Sequence, residues 1–503
     1  MTRRVASPSR RLAKQTKRPR GGIGAQSVMT AVDIQTSVRG GTISHTRQIA
    51  EFVSRLGYEQ IPAEVRERLK LLILDSLGCA IYGADLEWCR ILRQTLERAD
   101  QTRTTSVWGT DRMLSSPHAA LVNGTQVQSF ELDDVHREAV LHVGAVTLPA
   151  LIAAAESHAV LSGRDFLTAA LAGYEIGPRV GLCMGPEHIG QGWHSGATVG
   201  VFAAAATAAR ALSLDAGATV HALGIAGTQS CGLMAAQYGA MVKRMHAGRA
   251  AQSGFYAALL ASQGFTGIVD VFEAPYGGFC TTFSRSDDRF NLAALSAGLG
   301  ERFETTRISL KFYSCVGSNH TTLDALTDIR KRHPFTAGDI ESIIVHASQV
   351  TLDHAGWPYR PEGLTAAQLN LPFCAATLII AGDAFVDEFT PDCFADAARI
   401  DLARRVQIVH DPAITALGAA HRHKVRLEVR FRDGSVERET REAARGSERS
   451  FAETERIIGK FRKLTRAAMT ADRQNALIEA VMRLDELADS RTMIALLRQH
   501  RPA

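Results

Sequence analysis

Apolar residues recur at helical spacing along most of the chain. From about Ser44 to Leu310 one helical pattern follows another, and many segments are rich in alanine and glycine, as in "HSGATVGVFAAAATAARALSLD". Small residues on helix faces allow neighbouring helix axes to approach closely. This region is therefore predicted to be an all-α bundle of about ten helices.

The pattern changes beyond Arg307. The segment "ESIIVHA" (341–347) carries strand signals, and in "KVRLEVRFRDGSVERET" (424–440) apolar and charged residues alternate around an Asp-Gly turn. Helical patterns lie between these segments at 320–332 and 365–380, and the last 60 residues return to helix. We therefore predict a mainly α fold, in which both ends of the chain form a large all-α domain and a smaller α+β lid domain is inserted between them.

The predicted boundaries follow from these changes of pattern. They are a basic disordered tail over 1–43, the first part of the helical domain over 44–305, the lid over 306–440, and the helical return over 441–503.

Composition places the chain among ordinary globular proteins, with 46% apolar and 22% charged residues. The net charge of +5 comes from the tail, because residues 1–28 hold eight Lys and Arg and no acid. The rest is mildly acidic, so a nucleic-acid role would depend on the tail alone. No apolar run is long enough for a membrane span. We expect a cytoplasmic protein, or an organellar one if the tail is a cleaved transit peptide.

Several common cofactor and catalytic signatures are absent from the sequence. It contains no G-x-G-x-x-G, Walker A, H-E-x-x-H or G-x-S-x-G motif, which removes support for nucleotide cofactors and for a serine hydrolase. The eight cysteines include no C-x-x-C pair, so we read them as reduced thiols. His421 and His423 lack a nearby carboxylate and make a weak metal pair. We expect no metal and no cofactor.

A cationic stretch, "VKRMHAGRAAQSGF", begins one alanine-rich helix pattern. Lys243, Arg244 and Arg249 lie in it, and no acidic residue occurs between Asp215 and Asp270. Such a stretch indicates either an anionic ligand or a structural acid from elsewhere in the chain. For Arg249 the functional and the structural interpretations are equally supported.

Three histidines lie on glycine-containing loops that lead into helices. His142 follows Asp133 and Asp134 in "ELDDVHREAVLHVGAV", His194 lies in "QGWHSGATVG", and His320 lies in "YSCVGSNHTTLDAL". Free backbone N–H groups at helix N-termini favour anions. Together with the cationic stretch, these residues predict a polyanion pocket that contains acid and base groups.

These motifs occur in an order that resembles the MmgE/PrpD family, which contains 2-methylcitrate dehydratase and cis-aconitate decarboxylase. The resemblance rests on "LDSLGCAIYGA", "ELDDVHREAVLHVGAVTLPALIAAAE", "GYEIGPRVG", "WHSGATVGVFAAA", "KRMHAGRAAQSG", "YGGF" and "YSCVGSNHTTLDA", and it covers roughly residues 45–500. It implies the same two-part fold, a homodimer, and catalysis without metal or cofactor.

The resemblance also implies a set of site residues. By motif these are Asp134 with Asp133 beside it, His142, His194, Lys243 and His320. Lys243 is expected to bind a substrate carboxylate, His142 and His194 to act as acid and base, Asp134 to orient His142, and His320 to close over the substrate from the lid.

Two departures from the family pattern concern substrate choice. Phe373 stands where many relatives have a tyrosine, and "CVGSNH" stands where relatives often have an Arg-Tyr pair, so that a carboxylate contact is lost there.

The predicted function is that of a cofactor-independent lyase acting on a small di- or tricarboxylate. A 2-methylcitrate dehydratase-like hydro-lyase is the first choice, because the family name centres on dehydration. A cis-aconitate decarboxylase-like carboxy-lyase or an epimerase is the alternative, since all three reactions form a similarly stabilised anion. The alternative from another class is a non-catalytic binding protein that uses its basic tail.

Overall fold

Helices account for most of the chain that the structure describes. The structure is a computed structural model that describes residues 44–499 except Pro186 and Gly239. The predicted tail, residues 1–43, lies outside the described residues, and so do the predictions that depend on it.

The helices fall into three successive groups along the chain. The first group is α1 His45–Arg55, α2 Ala63–Gly83, α3 Glu87–Ala99, α4 Ser116–Val127, α5 Val143–Ser157, α6 Gly163–Met184, α7 Glu187–Gly190, α8 Ser195–Thr198, α9 Gly200–Ala211, α10 Ala216–Gly227, α11 Val242–Ser262, α12 Phe279–Ser284 and α13 Ala293–Ser296. The second is α14 Gly317–Arg332, α15 Gln349–Ala355, α16 Leu364–Leu369, α17 Leu371–Ala381, α18 Pro391–Phe394, α19 Ala397–Ala403 and α20 Pro412–Ala416. The third is α21 Thr454–Thr465, α22 Ala471–Met482 and α23 Arg491–Ile494. Among the described residues, no helix is long and apolar enough to cross a membrane.

The strands form one four-stranded mixed sheet and two short pairs. The strands are β1 Thr105–Ser106, β2 Met113–Leu114, β3 Val135–His136, β4 Ile308–Ser309, β5 Ile340–Ala347, β6 Val406–His410, β7 Val425–Phe431 and β8 Val436–Arg441. The sheet order is β6-β5-β7-β8, with β5 and β6 parallel and the other pairs antiparallel. The predicted hairpin is confirmed: β7 and β8 are joined at Gly434, whose φ of 89° requires glycine.

Two apolar cores account for most of the buried side chains. One joins helices from residues 49–312 to helices from residues 452–497, so residues from both ends of the chain share it. The other lies mainly within residues 313–431, between the sheet and helices α14 and α17. The boundaries of the helical and lid domains stay a prediction.

One predicted helix is two helices in the structure. The pattern over 365–380 is interrupted at Asn370, whose side chain accepts a hydrogen bond from the backbone N–H of Phe373 and so begins α17. Pro372, in the first turn of α17, has no N–H to continue the preceding helix.

Glycines allow α4 and α11 to cross at very short distance. A Cβ on Gly248 of α11 would lie 2.0 Å from the carbonyl oxygen of Leu121, and one on Gly124 of α4 would lie 2.7 Å from the Cα of Gly248. No larger residue fits at either position. This crossing holds the first turns of α11, which carry Lys243 and His246, against the segment that follows α4.

Candidate active site

A cavity of about 600 Å³ is lined both by the first helical group and by residues of the predicted lid. Its ionisable wall residues are Glu131, Arg137, His142, His194, Lys243, Lys311, Asp353, His354, Glu362, Arg422 and His423. The structure therefore brings together three of the predicted residues, namely His142, His194 and Lys243. The cavity is large enough for a small polycarboxylate.

A buried carboxylate outside the predicted set of site residues organises the cationic stretch. Glu131 accepts hydrogen bonds from Lys243 at 2.8 Å, from Arg244 at 2.7 Å and from Lys311 at 3.1 Å. Its φ of 55° lies in the left-handed region, which costs a non-glycine residue energy and is common at functional sites. The cationic stretch thus has a structural acid, but three positive charges share one carboxylate.

Electrostatics in this cluster favour an additional anion. Burial alone would raise the pKa of Glu131, but Lys243, Lys311 and Arg244 outweigh it and hold the pKa well below its usual range. Burial lowers the pKa of Lys243, while Glu131 opposes that shift. The cluster keeps a positive excess, so it can bind carboxylates of a ligand.

His194 faces a second imidazole. Its Nδ1 lies 3.1 Å from Nδ1 of His246, which is one turn after Lys243 in α11. Burial and the nearby Lys243 lower the pKa of His194 well below its usual range, and they lower the pKa of His246 as well. Both rings are therefore neutral near pH 7, and one Nδ1 donates a hydrogen to the other. His246 fixes the tautomer of His194 through this contact.

The acid beside His142 is Asp133, which corrects the expectation for Asp134. Nδ1 of His142 lies 3.0 Å from Oδ2 of Asp133, although the angle between them is not that of a hydrogen bond. Asp134 instead accepts from the backbone N–H of Gly144, at 2.9 and 3.1 Å, in the first turn of α5. Burial and the charge of Asp133 raise the pKa of Asp134 well above its usual range. The free N–H groups of a helix start explain why Asp134 turns away from His142.

A buried lysine from the C-terminal helices supports this acidic loop. Lys460 of α21 lies 2.6 Å from Asp75 of α2 and donates to the carbonyl of Leu132 at 2.7 Å. Burial raises the pKa of Asp75 to about 6, despite the opposing charge of Lys460. Lys460 thus ties the loop between Glu131 and Asp133 to the helical core.

Five predicted site residues are not among those that line the cavity, namely Asp133 and Asp134, described above, and His320, Arg249 and Phe373. His320 is buried in α14 and its Nε2 lies 3.2 Å from the carbonyl of Cys315. Arg249 is exposed on α11 and donates to Gln252 of the same helix. Phe373 is fully buried and stacks on Tyr359 with ring centroids 4.1 Å apart. For these last three, helical periodicity turns the side chain away from the cavity.

From the segment predicted to form the lid, His423 lines the cavity and His320 does not. Nδ1 of His423 lies 2.9 Å from Nη1 of Arg137, whose other nitrogens pair with Glu448. Burial, Arg422 and Arg137 lower the pKa of His423 well below its usual range. In the sequence, Arg422 and His423 belong to "HRH". The alternation of buried and exposed residues along β7, continued back to His423, places His423 on the same buried side as Val425.

The chain matches one protein family over most of its length. Residues 47–291 match the MmgE/PrpD N-terminal domain, and residues 313–486 match the MmgE/PrpD C-terminal domain.

Several known proteins are similar to almost the whole chain. A cis-aconitate decarboxylase-like protein of Aspergillus oryzae is 34% identical over 469 residues, which cover 90% of this chain and 97% of that protein. A cis-aconitate decarboxylase of Aspergillus terreus is 33% identical over 487 residues, covering 93% and 98%. A cis-aconitate decarboxylase of Mus musculus is 26% identical over 468 residues, covering 90% and 93%.

Proposed function

The chain belongs to the MmgE/PrpD family, and on that premise we propose that it is a lyase that decarboxylates cis-aconitate or a closely related unsaturated tricarboxylate. The relatives named cis-aconitate decarboxylase favour this alternative over the dehydratase that the sequence analysis put first. The observation that carries the proposal is one cavity that combines an excess of buried cations with histidines in reach of the same ligand.

The chemistry of decarboxylation matches these groups. The bond between a methylene carbon and its carboxylate breaks, CO2 leaves, and the electron pair spreads over the neighbouring double bond toward another carboxylate. A proton then adds to the carbon at the far end of the former double bond, which gives a methylene-substituted dicarboxylate. The reaction needs cations near the carboxylate that accepts the charge, and one proton donor.

Lys243 and Lys311 are proposed to hold the carboxylates on which negative charge develops. Both are anchored by Glu131, so they need no rearrangement when the charge forms. Preorganised charges of this kind stabilise a transition state more than mobile water does.

His142 is proposed as the proton donor. The carboxylate of Asp133 lies 3.0 Å from its Nδ1 and places a negative charge beside the ring. His194 stays neutral because of its lowered pKa and is proposed to position the substrate by hydrogen bonding, or to take up a proton if the reaction is a dehydration.

The test is direct. The purified protein is incubated with cis-aconitate in deuterated water, and CO2, product and deuterium content are measured. We expect CO2 release and one deuterium in the product, on the carbon at the far end of the former double bond. Replacing Lys243 with Ala or His142 with Gln should lower kcat by about 10²-fold or more. Dehydration of 2-methylcitrate without CO2 release from cis-aconitate would refute the proposal.

We also propose that the protein works as a homodimer. Met241, Val242, Tyr256 and Leu260 leave apolar side chains 39–47% exposed along α11 and the residue before it. A surface of this kind is typical of an association site. Sedimentation velocity should give about twice the chain mass of 54.4 kDa, and a monomer at micromolar concentration would contradict this.

A further inference from the structure

Arg422 differs from the other buried cations at the cavity. Lys243 and Lys311 pair with Glu131, and Arg137 pairs with Glu448. Arg422 lines the same cavity, yet within the described residues its guanidinium forms no ion pair. A partly buried cation with no counter-charge is costly unless a ligand supplies the missing anion.

Arg422 is also held in place before any ligand arrives. Its backbone carbonyl accepts hydrogen bonds from the hydroxyls of Ser348, at 2.5 Å, and Thr351, at 3.1 Å, both at the start of α15. Its Nη2 donates to the backbone carbonyl of Arg137 at 3.0 Å. The backbone and one nitrogen are therefore fixed, while the remaining N–H groups of the guanidinium have no protein acceptor among the described residues. A fixed guanidinium loses little conformational entropy on binding a carboxylate.

The charges around Arg422 oppose one another, and none of the described acids forms an ion pair with it. Arg137 disfavours the charge of Arg422, whereas Glu138 and Glu448, which pair with other arginines, favour it from a greater distance. His423 beside Arg137 is neutral. Asp353 and Glu362 also line the cavity, but both are exposed at its rim, where water screens them. The guanidinium of Arg422 can therefore still pair with a negative group inside the cavity.

We propose that Arg422 binds one carboxylate of the substrate and thereby makes the site selective for tricarboxylates over dicarboxylates. This inference rests on the proposed function and adds a residue that determines specificity. The cluster of Lys243, Arg244 and Lys311 around Glu131 keeps an excess of two positive charges. Its two lysines line the cavity and match two carboxylates. Arg422 accounts for the third. It also supplies the carboxylate contact that the sequence of the "CVGSNH" loop lacks.

The test measures binding without turnover. Calorimetry compares wild type with Arg422→Gln on three unreactive ligands: propane-1,2,3-tricarboxylate, and two dicarboxylates that each lack one of its carboxylates, glutarate and 2-methylsuccinate. The expected result is a loss of about 10- to 100-fold in affinity for the tricarboxylate. The dicarboxylate that lacks the group bound by Arg422 should bind the variant and the wild type equally well.

Arg426→Gln is the matched control, because Arg426 is four residues further along, 54% exposed and paired with Asp411. It should leave all three affinities unchanged. Arg422→Lys keeps the charge but loses the planar fork, and serves as the second variant if Arg422→Gln does not fold. It should weaken the tricarboxylate selectively but less strongly.

Equal weakening of all three ligands, or none, would overturn the inference for Arg422. Whether wild type releases CO2 from cis-aconitate is measured separately. Active wild type with unselective variants would refute the role of Arg422 alone, whereas inactive wild type would refute the proposed function.

Discussion

Replacing Glu131 with glutamine tests whether the buried cations depend on that carboxylate. The substitution keeps the size of the side chain and its ability to accept hydrogen bonds, but removes the negative charge. Lys243, Arg244 and Lys311 then repel one another without compensation. We expect the free energy of unfolding to fall and the affinity for anions to rise.

The size of the destabilisation follows from the distances between Glu131 and its three cationic partners. With an effective dielectric constant of about 20, two unit charges 2.8 Å apart attract by about 6 kcal/mol. Three such contacts offset the cost of burying four charged groups, so the net loss is much smaller than their sum. Removing one partner of a buried pair costs about 3–5 kcal/mol, and three stranded partners place Glu131→Gln at the upper end. With an unfolding entropy of about 2.1 cal/mol/K per residue, that loss lowers Tm by about 5 °C.

The assay is thermal unfolding at pH 7.5 and low salt, with and without propane-1,2,3-tricarboxylate. The tricarboxylate should raise Tm more in Glu131→Gln than in wild type, because it supplies the missing negative charge. Glu138→Gln is the matched control, since Glu138 is 47% exposed in its pair with Arg307, and its loss should cost at most about 1 kcal/mol. If Glu131→Gln melts like this control and both variants respond equally to the ligand, the buried cations do not depend on Glu131.

Three further predictions concern neighbouring groups. Asp133→Asn should lower kcat by about 10²-fold or more because the carboxylate beside His142 is lost, whereas Asp134→Asn should keep most of the activity; the reverse order in steady-state kinetics would contradict the assignment. Lys460→Met should destabilise the protein by about 3–5 kcal/mol at pH 7.5, measured by urea unfolding, because Asp75 then stays buried without a partner. Burial lowers the pKa of His188 to about 4, so its contribution to stability is full above the unfolded value of 6.5 and is lost as pH falls toward 4. His188→Gln should therefore lose less stability than wild type, by about 2 kcal/mol, when the pH drops from 7 to 5, and an unchanged difference would show that His188 titrates normally.

Local patterns were sufficient for the helices, for β5 and for the β7–β8 hairpin, because periodicity and turn chemistry depend on neighbouring residues. Lys243 and His194, which lie in distinctive motifs, line the same cavity, and their roles stay a prediction. The pattern over 365–380 did not predict the break at Asn370. Helical spacing of apolar residues gives no information about a side chain that caps a new helix.

The acidic segment illustrates what local patterns leave open. Its sequence, "ELDD", contains three acids within four residues, and Asp133 and Asp134 are adjacent. Which of them faces His142 depends on the backbone path after Glu131 and on the start of α5. A one-residue shift in that path exchanges the two side chains.

Composition, periodicity and motifs along the chain were enough to assign the family and the mainly helical fold, and they predict a polyanionic ligand. Which charges meet depends instead on the folded chain. Glu131 is 112 residues from Lys243 and 180 from Lys311, and Arg422 approaches the same cavity from a different segment. Electrostatic interaction depends on distance in space and on burial, so the anion that the cationic stretch already has, and the cation that still lacks one, become visible only in the folded chain.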